Sequence, residues 1–198
     1  MNYYWGKPDA SVSFCENKYN EKYWVAEYYN TVSSVFYIFT GILFIPTHLK
    51  RLGYISCCVG FGAALLHGTM RYWGQWVDEI SMLVLSFFVL KELYPRLNVY
   101  LIAPMLLCYG AFNMYFWCFC IMFGSMQIMI ANCAINKLTK NKIWLKLYIL
   151  CFWCGLICWL IDQFCLTDLG RQLQPYQFHA WWHLFTALAI GFGFKALL

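Results

Sequence analysis

Apolar residues run along this chain in long blocks, separated by short clusters of charge and turn residues. The blocks cover about Ala26 to Leu49, Gly53 to Thr69, Trp76 to Lys91, Leu97 to Ile135, Ile143 to Phe164 and Phe178 to Leu198. A helix crosses a bilayer in about 20 residues. The block from Leu97 to Ile135 holds 39 residues, too many for one crossing. Its interruption at Tyr109-Gly110-Ala111-Phe112-Asn113 divides it into two helices joined by a tight turn. The pattern therefore predicts an all-α, polytopic membrane protein, a seven-transmembrane helix bundle in one domain over residues 1–198. A six-helix chain with one long or re-entrant segment is the alternative. Residues 1–25 form a polar N-terminal segment outside the spans.

Composition strengthens the membrane assignment. The chain is 62% hydrophobic and 12% charged, where a soluble domain carries roughly 25% charged residues. The longest polar stretch, Met1 to Tyr23, lacks the apolar core of a signal peptide. Fifteen tyrosines and ten tryptophans suit the two interfacial belts of a membrane bundle. The net charge of +5 sits mostly in loops, so it speaks to topology and not to nucleic acid. With seven spans, nine lysines and arginines share a face with the C-terminus and five share a face with the N-terminus. That bias predicts a cytoplasmic C-terminus and a lumenal or extracellular N-terminus. The eleven cysteines show no metal-ribbon spacing, and most lie within apolar runs, where small buried hydrophobes are expected.

Ionisable residues inside spans cost free energy, so they usually have a partner or a function. His179 and His183 are spaced i, i+4 and so share one helix face. His67 ends the second span and Asp78 opens the third. In a seven-span chain all four reach the same membrane face at similar depth. Three imidazoles can hold zinc and leave a fourth position for water. Asp78 could then orient that water and take its proton, or support the metal from behind a ligand. For any one of these histidines alone, an interfacial side chain bonded to water or backbone explains it equally well. His48, beside Lys50 and Arg51 on the opposite face, fits that plainer description. Glu79 rivals Asp78, but adjacent helical residues point about 100° apart, and a snorkelling interfacial charge is its plainer explanation.

The order of motifs resembles the alkaline ceramidases, part of a wider superfamily of seven-helix membrane hydrolases that includes the progestin and adipoQ receptors. The resemblance runs from Tyr4-Trp5-Gly6 through Phe14-Cys15-Glu16 and Ala26-Glu27-Tyr28-Tyr29-Asn30-Thr31. It continues in Gly60-Phe61-Gly62-Ala63-Ala64-Leu65-Leu66-His67-Gly68-Thr69 and Gln75-Trp76-Val77-Asp78-Glu79. It closes with Ile161-Asp162-Gln163-Phe164-Cys165 and His179-Ala180-Trp181-Trp182-His183. It implies intramembrane hydrolysis of ceramide to sphingosine and a fatty acid, with His67, His179 and His183 as zinc ligands and Asp78 acting on water. The implied partners are the lipid substrate and the bilayer, with no obligate protein partner. The implied location is the endoplasmic reticulum or Golgi in preference to the plasma membrane.

Two positions depart from the family pattern. Where the family has a serine four residues before its first histidine, this chain has Ala63. An oxyanion donor is thereby lost, and Thr69 or Tyr72 are the substitutes in reach of the sequence. The family also builds a calcium site from the N-terminal segment. Here Glu16 and Glu27 persist from that site, but Ser13, Phe14 and Lys18 replace its Asp, Trp and Asn. Calcium takes six to eight oxygen ligands, so two carboxylates beside an ammonium make a degenerate cage. Lys18 is expected to replace the ion by pairing with Glu16 and Glu27. Asp9, Asn17 or Glu21 could still rescue a weak site. The resemblance further implies a disulfide between Cys15 and Cys165, with two free thiols as the alternative. It leaves Asp162 as either a hydrogen-bond partner of a zinc histidine or an interfacial structural group.

Three functions compete on these grounds. The first is a zinc-dependent ceramide amidase. The second is a zinc hydrolase of another membrane lipid, an ester included, since an ester needs less oxyanion help. The third is a non-catalytic lipid-binding or receptor-like protein with structural zinc. A transporter fits less well, because the polar residues cluster at one end of the spans.

Overall fold

The structure, a computed structural model, describes residues 3–138, 141–164, 167 and 172–198. The described residues are helical apart from turns, two 3-10 segments and one isolated bridge between Lys22 and Val25. In chain order the helices are α1 (Tyr28–Ser33), α2 (Val35–Phe44), α3 (Lys50–Thr69), α4 (Tyr72–Leu93), α5 (Ile102–Phe112), α6 (Phe116–Lys137), α7 (Lys142–Asp162) and α8 (Phe178–Leu197). The interruption expected in the long apolar block falls at residues 113–115, between α5 and α6.

Three of these helices, α3, α6 and α7, are long and apolar enough to cross a membrane. Helices α4 and α8 have 22 and 20 residues, but their carboxylates, histidines and lysines dilute the apolar stretch. The outward faces of α6 and α7 are largely apolar, with Trp117, Ile121, Ile128 and Trp153 each more than half exposed. Such a surface needs a lipid solvent, because large exposed apolar patches are rare on soluble proteins.

The first block is not the single helix from Ala26 to Leu49 that its hydrophobicity suggests. It breaks between α1 and α2 at Ser34, and α2 ends at Phe44. The Ser33 and Ser34 hydroxyls both donate to the carbonyl of Asn30, at 3.0 Å. Back-bonding of this kind bends or interrupts a helix. The cysteines also differ from expectation. Cys58 and Cys108 are exposed, and the seven other free cysteines among the described residues are only half-buried. In an apolar solvent the outer surface accepts a small apolar side chain as readily as the core does.

Helix α3 is the centre of the bundle, with 56% of its membrane-length window buried against 17% for α6 and α7. It packs on α2 at one side and α4 at the other, while α7 packs along α8. The α2–α3 crossing rests on two glycines. A methyl group added at Gly53 would stand 2.7 Å from the Gly41 carbonyl oxygen, and one added at Gly41 would stand 2.5 Å from that of Gly53. Gly53→Ala is therefore expected to destabilise the protein by about 1–3 kcal/mol through overpacking. Thermal unfolding in detergent checks this, with Ile121→Ala on the outer face of α6 expected to leave the midpoint unchanged.

Candidate metal centre and its surroundings

His67 lies in the last turn of α3, and His179 and His183 lie in the first two turns of α8. All three are buried, and their candidate ligand nitrogens lie within 4.8 Å of one another. The ring centroids form a nearly equilateral triangle with sides of 4.8, 4.9 and 4.8 Å.

The Nδ1 atom of each ring is turned toward an oxygen. The His67 Nδ1–H donates to Glu27 Oε2 at 2.6 Å, since a carboxylate only accepts. Ser33 Oγ gives its one proton to the Asn30 carbonyl. It also bonds His183 Nδ1, at 2.8 Å. His179 Nδ1 stands 3.6 Å from Asp162 Oδ2. With Nδ1 so occupied in His67 and His183, Nε2 is the candidate ligand atom. Three buried imidazoles this close together suit a cation, and partners of this kind orient and strengthen metal-binding histidines. The donor set fits a zinc ion.

Asp78 sits in the second turn of α4, buried, and its Oδ1 has no hydrogen-bond partner among the described residues. The close approach of α3 and α4 brings it there. A methyl group on Gly62 would lie 2.8 Å from the Asp78 Cα. Asp78, Ala63, His179 and His183 all line one cavity of about 460 Å³. Its remaining walls are mainly apolar and come from α6 and α7, among them Phe119, Phe123, Phe152 and Leu156. The two candidate replacements for a serine at position 63 are committed elsewhere. The Thr69 hydroxyl donates to Leu65 O at 2.7 Å, and the Tyr72 hydroxyl bonds Asn113 Oδ1.

Glu79 is not a snorkelling charge. It is buried, and accepts from Gln75 Nε2 and Tyr109 Oη, each at 2.7 Å. Gln75 in turn bonds Ser11, so this chain of contacts ties the N-terminal segment to α4 and α5. Asp9 accepts from the Tyr72 backbone N–H at 2.7 Å and pairs with Arg71, which holds the segment at the start of α4. His48 is exposed in the α2–α3 loop and takes no part in the cluster.

The degenerate cage is arranged differently from its expected pairing. The Lys18 ammonium does pair with Glu27 Oε1. Its other bonds go to the backbone carbonyls of Phe14 at 2.8 Å and Glu16 at 3.0 Å. The Glu16 carboxylate turns away and accepts from the backbone N–H groups of Tyr29 and Asn30, at 2.8 and 2.9 Å. It thereby satisfies two of the free amides that open α1. Burial still outweighs these bonds and pushes Glu16 up to about 7.

Phe14 covers the triad, with its ring 4.0 Å from that of His179 and 4.7 Å from that of His67. The pairing expected between Cys15 and Cys165 involves Cys165, which lies outside the described residues. Asp162 is buried, close to His179 as above, and accepts from the Cys15 backbone N–H at 3.4 Å. The sequence pattern did not single out Ser33, and it suggested Glu27 as an ion ligand or as a partner of Lys18 but not as a partner of His67. The alternation of small polar residues in Asn30-Thr31-Val32-Ser33-Ser34 at the mouth of an apolar block was the available signal.

Fold and site together define an all-helical protein with membrane-length helices and a buried three-histidine cluster that could hold a metal ion. Comparison with known proteins makes this particular. The ceramidase family matches over residues 6–197. Alkaline ceramidase 3 of Mus musculus is 27% identical over 217 aligned residues, covering 93% of this chain and 81% of the relative. An alkaline ceramidase of Arabidopsis thaliana is 26% identical, covering 92% and 80%. One of Saccharomyces cerevisiae is 22% identical, covering 98% and 77%. The chain belongs to the ceramidase family, and as such is a hydrolase of linear amide C–N bonds.

Removing the hydroxyl that bonds His183 Nδ1 is expected to weaken metal binding. Loss of such a partner typically costs 10- to 100-fold in affinity. Ser33→Ala is expected to fall in about that range in a chelator-competition titration.

Proposed function

We propose that the protein is an intramembrane, zinc-dependent amidase that hydrolyses ceramide to sphingosine and a free fatty acid. The observation that carries this is the buried triangle of His67, His179 and His183, two of whose members line an apolar cavity beside Asp78, whose Oδ1 has no hydrogen-bond partner among the described residues. The names of the relatives support the substrate.

His67, His179 and His183 would hold the ion through Nε2. When bound, zinc supplies Lewis acidity toward the amide carbonyl and toward water. Asp78 Oδ1 is a buried carboxylate oxygen in the cavity wall with no hydrogen-bond partner among the described residues, so it takes the proton of the attacking water. The same carboxyl then returns that proton to the departing amine, as general acid–base catalysis requires. The apolar walls from α6 and α7 hold hydrocarbon chains and exclude water. Phe14 closes the triad from the N-terminal side.

Ala63 offers no hydroxyl to a developing oxyanion, and Thr69 and Tyr72 spend theirs elsewhere. A missing donor of this kind typically costs about 10² to 10³ in rate. The same gap gives weight to a second reading, a zinc hydrolase of a lipid ester, whose carbonyl needs less help. In either case the protein is read as seven spans with the triad near the lumenal face, the N-terminus lumenal and the C-terminus cytoplasmic. The expected membrane is the endoplasmic reticulum or Golgi. The domain is one unit, with residues 1–25 closing the metal end.

The test is fatty-acid release from a panel of ceramides by purified protein in detergent, with zinc counted on the same sample. Wild type is compared with His183→Ala and Ala63→Ser. Release should vanish in His183→Ala and rise by about 10-fold or more in Ala63→Ser. Stoichiometric zinc with no release from any ceramide, even in Ala63→Ser, sinks the ceramidase reading and leaves the ester or a binding role.

A further inference from the structure

The Glu27 carboxylate has no exposure to solvent. One of its oxygens meets the Lys18 ammonium. The other accepts from His67 Nδ1 at 2.6 Å and from Asn30 Nδ2 at 3.1 Å. A buried carboxylate stripped of its counter-charge is strongly destabilised. Among the described residues, Lys18 is the only lysine or arginine that reaches it.

We propose that Lys18 is a positioning residue for the metal ligand His67, acting through Glu27 as a cation built permanently into the chain. The proposal rests on the zinc reading and extends it to the control of that site. An ammonium has three protons. Here the carbonyls of Phe14 and Glu16 accept from it, and the carboxylate of Glu27 pairs with it as an ion. The ammonium thus stands among three oxygens and takes the place that a second cation would need. Its charge holds Glu27 in the ionised, oriented form that accepts from His67. That bond in turn aims the His67 Nε2 at the triangle. Asn30 Oδ1, buried beside Glu27 and without a partner among the described residues, adds a fourth oxygen in the vicinity. With the ammonium removed, these oxygens suit a hard divalent ion.

The arrangement makes two linked statements. The wild-type zinc site is indifferent to added calcium, because its counter-charge is covalent. Removal of the Lys18 side chain makes the site depend on an added ion.

The experiment is a zinc titration of purified protein against a competing chelator, with and without millimolar calcium chloride, and with thermal melting on each sample. The variants are Lys18→Ala, Lys18→Arg, Glu27→Gln and the double variant Lys18→Ala/Glu27→Gln. Lys18→Ala should lose about 10-fold or more in zinc affinity, in line with loss of an outer partner of a metal ligand. Calcium should restore it in that variant and leave wild type unchanged. Lys18→Arg should retain most of the affinity. In the Glu27→Gln background the Lys18 substitution should cost nothing further, whereas a purely structural lysine would cost the same in both backgrounds.

If Lys18→Ala folds too poorly to titrate, Lys18→Arg and the Glu27→Gln pair decide the matter. Arg weakening zinc as much as Glu27→Gln does, or a further loss on adding Lys18→Ala to Glu27→Gln, overturns the proposal. So does calcium tightening zinc in wild type, or full zinc affinity in Lys18→Ala without calcium. A wild type that takes up no zinc overturns the zinc reading and this inference together. A wild type that binds zinc beside an unaffected Lys18→Ala overturns this inference alone.

Discussion

One buried carboxylate ties the molecule together at its polar end. Glu27 is wholly enclosed, and it bonds the N-terminal segment on one side and the end of α3 on the other. Its own backbone N–H donates to the His67 carbonyl, and the neighbouring Ala26 N–H to that of Gly68, each at 2.9 Å. The segment before α1 is thus laced to α3 by backbone and side chain at the same place. Val12, Phe14, Ala26, Leu66 and Met70 fill the space beneath as a small core of their own. A polar end built this way excludes water from the histidines while leaving the cavity side apolar.

Around this point the bundle divides its labour. α3 and α8 carry the histidines, α4 carries the carboxylates, and α6 and α7 form most of the cavity wall. The helices with reactive groups are those with the more buried faces. The helices that line the cavity turn most of their surface outward. This separation follows from solvent: a charge in hydrocarbon is costly, so reactive side chains gather where protein surrounds them.

Much of this was legible in the sequence. The i, i+4 spacing of His179 and His183, and the positions of His67 and Asp78 at the ends of apolar runs, pointed to one end of the chain's helices. The break before α6 was visible as Tyr109 to Asn113. The finer chemistry was not legible, because it depends on which oxygen each nitrogen meets. Glu27 read as an ion ligand or a partner of Lys18, and besides pairing with Lys18 it turns its second oxygen to His67. Glu16 read as its companion, and is spent on the opening amides of α1. Thr69 and Tyr72 were near enough in sequence to replace a serine at position 63, yet a helix end and Asn113 claim their hydroxyls. Hydrogen-bond partners are chosen by tertiary distance, and hydropathy carries no record of them.

The close crossings of α3 have a consequence for how the protein relates to its membrane. Gly53 locks α3 to α2, and Gly62 locks it to α4, with backbone against backbone on both sides. Sliding α3 along either neighbour would bring a side chain where only a hydrogen fits. The place of His67 relative to α2 and α4 is therefore fixed by backbone contact. Bilayers differ by a few Å between compartments, and the loosely packed outer faces of α6 and α7 are where such a mismatch would be absorbed. Residues there can shift while α2, α3 and α4 keep their register.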